Sequence, residues 1–202
     1  MAMRAALASE TRVCAYDRAG LGASDPRPPG LAPTAATFAD ELRTLLTNAS
    51  VPGPYVLYGG SFGGLLNSGY TLRHASDVVG LVFSDALGPG SAGLSGRSGL
   101  EAWDAGADLD GLLSLQFGNR PMAVLTSTFT GEAPDLIRRS SNSLWVDAPG
   151  TGHIIAAEAP QLVVEAVRLV VAAVRTNAKL PPCEQTRLPT LVPRGRCQSP
   201  GS

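Results

Sequence analysis

Between Tyr55 and Leu66 the chain changes character sharply. Tyr55-Val56-Leu57-Tyr58 is a short apolar, β-favouring run. Gly59-Gly60-Ser61-Phe62-Gly63 is a glycine-flanked serine, and Gly64-Leu65-Leu66 begins a helical pattern. A strand that turns straight into a helix across so few residues fixes the local path of the backbone. It matches G-x-S-x-G, an elbow in which a serine sits on a sharp, strained strand-to-helix turn. Glycine two residues to either side is expected to leave room across the bend and to supply unusual backbone angles. The turn raises the serine hydroxyl above the sheet edge. The helix behind it offers unpaired N–H groups and a positive dipole end, a setting that favours a developing oxyanion. Phosphate-binding turns are also glycine-rich, but the P-loop ends in Gly-Lys-Ser/Thr and no lysine follows here. Gly59–Gly64 does not match the dinucleotide pattern G-x-G-x-x-G either.

Apolar strands and amphipathic helices alternate along the rest of the chain. Arg12–Tyr16 has the β-branched and aromatic character of a buried strand and runs into a turn-rich loop, Asp17–Pro26. Thr34–Asn48 is predicted helical, with Phe38, Leu42, Leu45 and Leu46 on one stripe. Val78–Ser84, Met122–Thr126 and Leu144–Val146 are predicted strands, and the helix after Ser61 is expected to end near His74. From Ala86 to Arg120 the pattern is irregular, with weak helical patches around Trp103 and over Leu112–Phe117. A short helix is expected over Asp135–Ser141. Pro160–Thr176 is a clear amphipathic helix with a valine stripe at 163, 167, 170, 171 and 174. Continuous apolar strands between such helices predict an α/β fold, a mostly parallel sheet with helices on both faces.

We expect a core over residues 1–176, a short cap at about 86–120, and an extended, proline-rich tail over 177–202. Cys183 and Cys197 in that tail suit either a disulfide or two free thiols. A net charge of −1 gives no electrostatic case for nucleic acid or an anionic membrane. No apolar run reaches membrane-spanning length, and the apolar part of the first residues is too short for a signal peptide. As the chain stands, a cytoplasmic location is expected, with export implied if a leader precedes it. Two histidines and three scattered cysteines form no metal-ligand cluster, so no metal or other cofactor is expected.

A serine hydroxyl needs a base, usually a histidine oriented by a carboxylate. His153 lies in a glycine-rich turn between the last predicted strand and the last helix, where loops from parallel strands converge on one rim. His74 lies at the end of the elbow helix, where a structural or dipole-facing role is expected. Asp85 ends the strand after the elbow helix and is the favoured acid. Asp135 is the second candidate, and Asp147 and Asp104 are weaker.

Four segments, in order, carry a resemblance. They are Tyr16–Pro26, the Ser61 elbow, Val79–Ala86, and Gly152-His153 with Glu158-Ala159-Pro160 behind it. Together they resemble the α/β-hydrolase family, over about Arg12 to Thr176 and in that family's chain order of serine, acid and histidine. The resemblance implies Ser61 as nucleophile, His153 as base and the N–H of Phe62 as one oxyanion donor. It places the acid after either of two strands. The segment Thr126–Thr130 holds no carboxylate, which favours Asp85. A serine at the elbow argues against dehalogenase or epoxide-hydrolase chemistry, which needs a carboxylate nucleophile. The implied activity is therefore a serine hydrolase acting on small ester-like substrates, with peptidase or lactonase action open. Gly60 stands where many relatives carry histidine, and the short cap implies an open site. Relatives begin with two or three further strands and a His-Gly loop that supplies a second oxyanion donor. On that comparison the chain is expected to be truncated, and the alternative activity is that of an inactive hydrolase-like fragment or binding protein.

Overall fold

The computed structural model describes residues 2–30, 32–91, 96–98, 101–104, 106–127 and 133–199. In chain order the elements are α1 (Ala2–Leu7), α2 (Ala35–Asn48), β1 (Tyr55–Gly60), α3 (Phe62–Arg73) and β2 (Val78–Ser84). A small hairpin, β3 (Gly96–Ser98) and β4 (Glu101–Trp103), precedes α4 (Leu109–Ser114) and β5 (Met122–Thr126). Then come α5 (Ala133–Arg138), β6 (Ser143–Asp147), α6 (Ile155–Glu158), α7 (Pro160–Thr176), α8 (Leu188–Leu191) and β7 (Cys197–Gln198).

The main sheet runs β1-β2-β5-β6-β7. Its first four strands are parallel, and β7 is antiparallel to β6. Alternate residues of the central strands face opposite layers. Val82, Ala123, Leu125, Leu144 and Val146 pack with Leu162, Val163, Val167 and Val170 of α7. Leu81, Phe83, Met122 and Val124 pack with Ala39 of α2, Tyr70 of α3 and Leu136 of α5. Each large apolar side chain buried this way contributes roughly 1.5–3 kcal/mol. That explains why β2 and β5 read as unbroken apolar runs. The fold is the expected α/β arrangement with helices on both faces.

The helix limits follow from local chemistry. Thr34 caps α2: its side chain accepts from the Thr37 amide, and the Thr37 hydroxyl accepts in return from the Thr34 amide. Pro160 opens α7, and Asn177 in the left-handed conformation (φ 49°) closes it.

Several expectations are corrected. Arg12–Tyr16 forms no strand; its backbone has no ladder partner among the described residues, and Tyr16 is exposed. β-favouring side chains make a strand only beside a backbone that can pair with them. Leu45 is exposed, and Ala35 and Ala39 complete the buried face of α2 instead. Trp103 belongs to the β3–β4 hairpin, paired with Gly96, and not to a helix. The helical patch expected over Leu112–Phe117 is confined to α4, and Arg139 accounts for the chain beyond it by donating to the carbonyls of Leu113 (3.0 Å) and Leu115 (2.8 Å).

The segment after Asn177 is not an extended tail. Cys183 and Cys197 are joined as a disulfide, and Cys183, Leu188 and Val192 are buried against α7 and the sheet. β7 pairs with β6, and the Arg196 guanidinium lies 5.2 Å from the centre of the Trp145 ring. Proline removes helical periodicity from this stretch, but a few apolar anchors and a covalent link are enough to seat it.

Candidate active site

Because β1, β2, β5 and β6 are parallel, their carboxyl ends share one rim. Gly60 pairs with Ser84, Ser84 with Leu125, and Thr126 with Asp147. The residues that follow these positions are the ones with chemistry to offer.

Ser61 leaves β1 with φ 49° and ψ −125°, a conformation that L-residues rarely adopt. Its amide donates to the Ser84 carbonyl (3.1 Å), and its carbonyl accepts from Gly64 (3.0 Å) and Leu87 (2.9 Å). Those bonds hold the strained residue from both sides. A Cβ on Gly59 would lie 2.5 Å from the Gly63 carbonyl oxygen, so glycine is required there. At Gly63 a Cβ would meet nothing within 4 Å; the second tight position is Gly64, against Ala86 and the Leu87 carbonyl. Phe62 is the first residue of α3, where amides have no acceptor within the helix.

His153 is carried by the loop between β6 and α6. Gly150 turns the backbone at φ 88°, and the Gly152 amide donates to Glu158 (2.8 Å). Buried Ile155 anchors the far end. The imidazole Nε2 lies 2.8 Å from the Ser61 hydroxyl, and Nδ1 lies 3.4 Å from Asp85 Oδ2, at the long end of hydrogen-bond range. With the Nδ1 proton facing Asp85, Nε2 is left to accept the serine proton. His153 keeps 44% of its side chain exposed, whereas the Asp85 side chain is fully enclosed.

Asp85 follows β2 directly, again with left-handed backbone (φ 41°). Its amide donates to the Leu125 carbonyl (2.9 Å), which ties it to β5. Ser127, just past the end of β5, donates its amide to Asp85 Oδ1 (2.6 Å) and its hydroxyl to Oδ2.

The other sequence candidates lie elsewhere. Asp135 pairs with Arg139 (2.8 Å), and Asp147 with Arg196 (3.4 Å). The Asp104 amide bonds the Pro33 carbonyl at the base of α2. His74 ends α3, with Nδ1 3.4 Å from Arg43 and Nε2 3.4 Å from Asp40. A hollow of about 810 Å³ lined by Arg43, Pro52, Tyr55, Tyr70 and Asp77 opens at the amino ends of β1 and β2, away from Ser61. Among the described residues, no group of three His, Cys, Asp or Glu is placed to hold a metal ion.

The rim therefore joins a hydroxyl, an imidazole and an enclosed carboxylate in series. The sequence profile described as the Alpha/beta hydrolase family matches residues 1–174. The chain belongs to this family.

Among solved structures, this α/β-hydrolase resembles a thermophilic esterase from Thermogutta terrifontis, with a TM-score of 0.64 and 22% identity over 86% of this chain and 84% of that one. It also resembles an Acinetobacter baumannii protein provisionally assigned as a lipase, with a TM-score of 0.59 and 17% identity over 78% and 73% of the two chains. At these identities the likeness establishes the fold. Among curated proteins, an uncharacterized protein of Schizosaccharomyces pombe is 41% identical over 80 residues, 40% of this chain and 15% of that protein. A Hormonema carpetanum protein provisionally assigned as the transporter efuK is 39% identical over 83 residues, 40% of this chain and 12% of that one. The chain spans a small part of either curated relative.

Two residues beside the site escape a reading of the sequence. Glu158 lies in a segment that carries the family resemblance, but nothing in its spacing announces a bond to Gly152. Ser127 lies in the carboxylate-free stretch Thr126–Thr130, and a lone serine there gives no signal until Asp85 is seen against it.

Proposed function

We propose that this α/β-hydrolase is a serine hydrolase that cleaves small carboxylic esters through an acyl-enzyme on Ser61. The observation that carries the reading is the 2.8 Å contact between the Ser61 hydroxyl and His153 Nε2, with Asp85 behind the imidazole. Fold alone does not decide chemistry, so the proposal rests on this site. His153 takes the proton as the Ser61 oxygen attacks the ester carbonyl, and Asp85 stabilises the imidazolium. The tetrahedral oxyanion accepts from the N–H of Phe62 at the start of α3, where the helix dipole adds to the field. The imidazolium returns its proton to the leaving alkoxide, and water activated by the same histidine releases the acid. Every proton in this cycle is carried by the chain's own residues, without a cofactor. Residues 86–120 serve as a short cap over the sheet that carries Ser61.

Turnover of p-nitrophenyl acetate and butyrate by Ser61→Ala is the test. Loss of all but background hydrolysis is expected, and unchanged turnover would sink the assignment.

One observation favours a second reading, a hydrolase-like protein without turnover. β1, the strand that delivers Ser61, has a single ladder neighbour among the described residues, so the site is built at the edge of the sheet. A fluorophosphonate probe separates the two, because only an activated serine is labelled.

A further inference from the structure

We infer that Ser127 is a positioning residue for Asp85, a role that rests on the serine-hydrolase reading above. The Asp85 carboxylate is shut away from solvent, and a buried carboxylate must find donors inside the protein. One residue makes a contact with each of its oxygens: the Ser127 amide on Oδ1 and the Ser127 hydroxyl on Oδ2. Two donors from one residue fix the plane of the carboxylate as well as its position. The oxygen gripped by the hydroxyl is Oδ2, the same atom that faces His153 Nδ1.

The grip is itself anchored. Thr126, the preceding residue, accepts from Trp145 Nε1 through its hydroxyl (2.8 Å) and from the Ala148 amide through its carbonyl (2.7 Å). Ala148 opens the loop that carries His153. Residues 126 and 127 thus join the end of β2, where Asp85 sits, to the loop after β6, where His153 sits. Asp85 also holds a left-handed backbone, a strained conformation that persists only where neighbours enforce it. Replacing the Ser127 hydroxyl with hydrogen keeps the amide contact, so the carboxylate stays partly satisfied. What is lost is a donor on Oδ2, the oxygen that faces the imidazole.

The test compares Ser127→Ala, Ser127→Thr and Ser127→Cys with Asp85→Asn and the double variant Asp85→Asn/Ser127→Ala, on p-nitrophenyl butyrate. Ser127→Ala is expected to lower kcat on the order of 10–100-fold, the scale of a small misplacement of catalytic groups, with KM within about twofold. Ser127→Thr, which keeps the hydroxyl, restores most of kcat. Ser127→Cys keeps a side chain of similar shape, slightly larger, but donates weakly, and it falls with alanine; it also stands in should alanine fail to fold. In the Asp85→Asn background, Ser127→Ala adds no further loss. The inference is overturned if Ser127→Ala and Ser127→Cys keep wild-type kcat, if only KM moves, or if the two losses multiply. Full turnover by Ser61→Ala or Asp85→Asn would instead bring down the underlying reading, and Ser127 would then have nothing to position.

Discussion

Gly59 and Gly63 lie at equal distances from Ser61 but meet different surroundings. A methyl group on Gly59 runs into the Gly63 carbonyl, part of the α3 backbone that cannot step aside. The same group on Gly63 enters open space inside a helix, where alanine is favoured over glycine by about 1 kcal/mol. Thermal denaturation should therefore show Gly59→Ala strongly destabilised or unfolded, and Gly63→Ala as stable as wild type or up to about 1 kcal/mol more so. The pattern G-x-S-x-G is legible in the sequence, but which glycine the bend requires depends on carbonyls that only the fold brings close. Asp85 is similar. Its place at a strand end can be read directly, whereas the enclosure that makes it answer to Ser127 cannot.

Among the elements, α3 does more than present Ser61. Its last turn carries Tyr70, which is buried beside Asp77 at the other end of the sheet. Burial first, and the Asp77 charge second, push the Tyr70 phenol up to about 12. The folded state thus holds the phenol neutral where the unfolded chain would already ionise. The stabilisation is fully present below about pH 10, the ordinary tyrosine value, and is lost as pH climbs through about 12. Denaturant titrations between pH 9 and about 12 should show falling stability in wild type and a flatter profile in Tyr70→Phe. An unaltered slope in the variant would place the alkaline loss elsewhere. Helix limits such as Thr34 and Pro160 are readable from sequence because capping is local. The β3–β4 hairpin around Trp103 is not, because the sequence between β2 and α4 carries no periodicity.

At the scale of the whole molecule, the parallel sheet is the most legible feature, since strands buried on both faces must be continuously apolar. Arg12–Tyr16 shows the limit of that rule: its composition suits a strand, yet its backbone has no ladder partner among the described residues. The C-terminal stretch shows the opposite limit. It lacks any pattern, yet Cys183, Leu188 and Val192 bury it against α7 and β6. Opening the disulfide with Cys197→Ser should lower stability by roughly 2–4 kcal/mol while fluorophosphonate labelling per folded molecule is retained, because the link lies outside the Ser61–His153–Asp85 contacts. An unchanged melting temperature would show that the apolar anchors suffice alone. The proposed chemistry centres on Ser61, and fluorophosphonate labelling followed by peptide mass spectrometry tests it most directly. We predict a single adduct on Ser61, formed at least 100-fold more slowly in His153→Ala, a loss on the order expected when a general base is removed. A cooperatively folded protein that stays unlabelled, or that is labelled on another serine, would contradict the assignment.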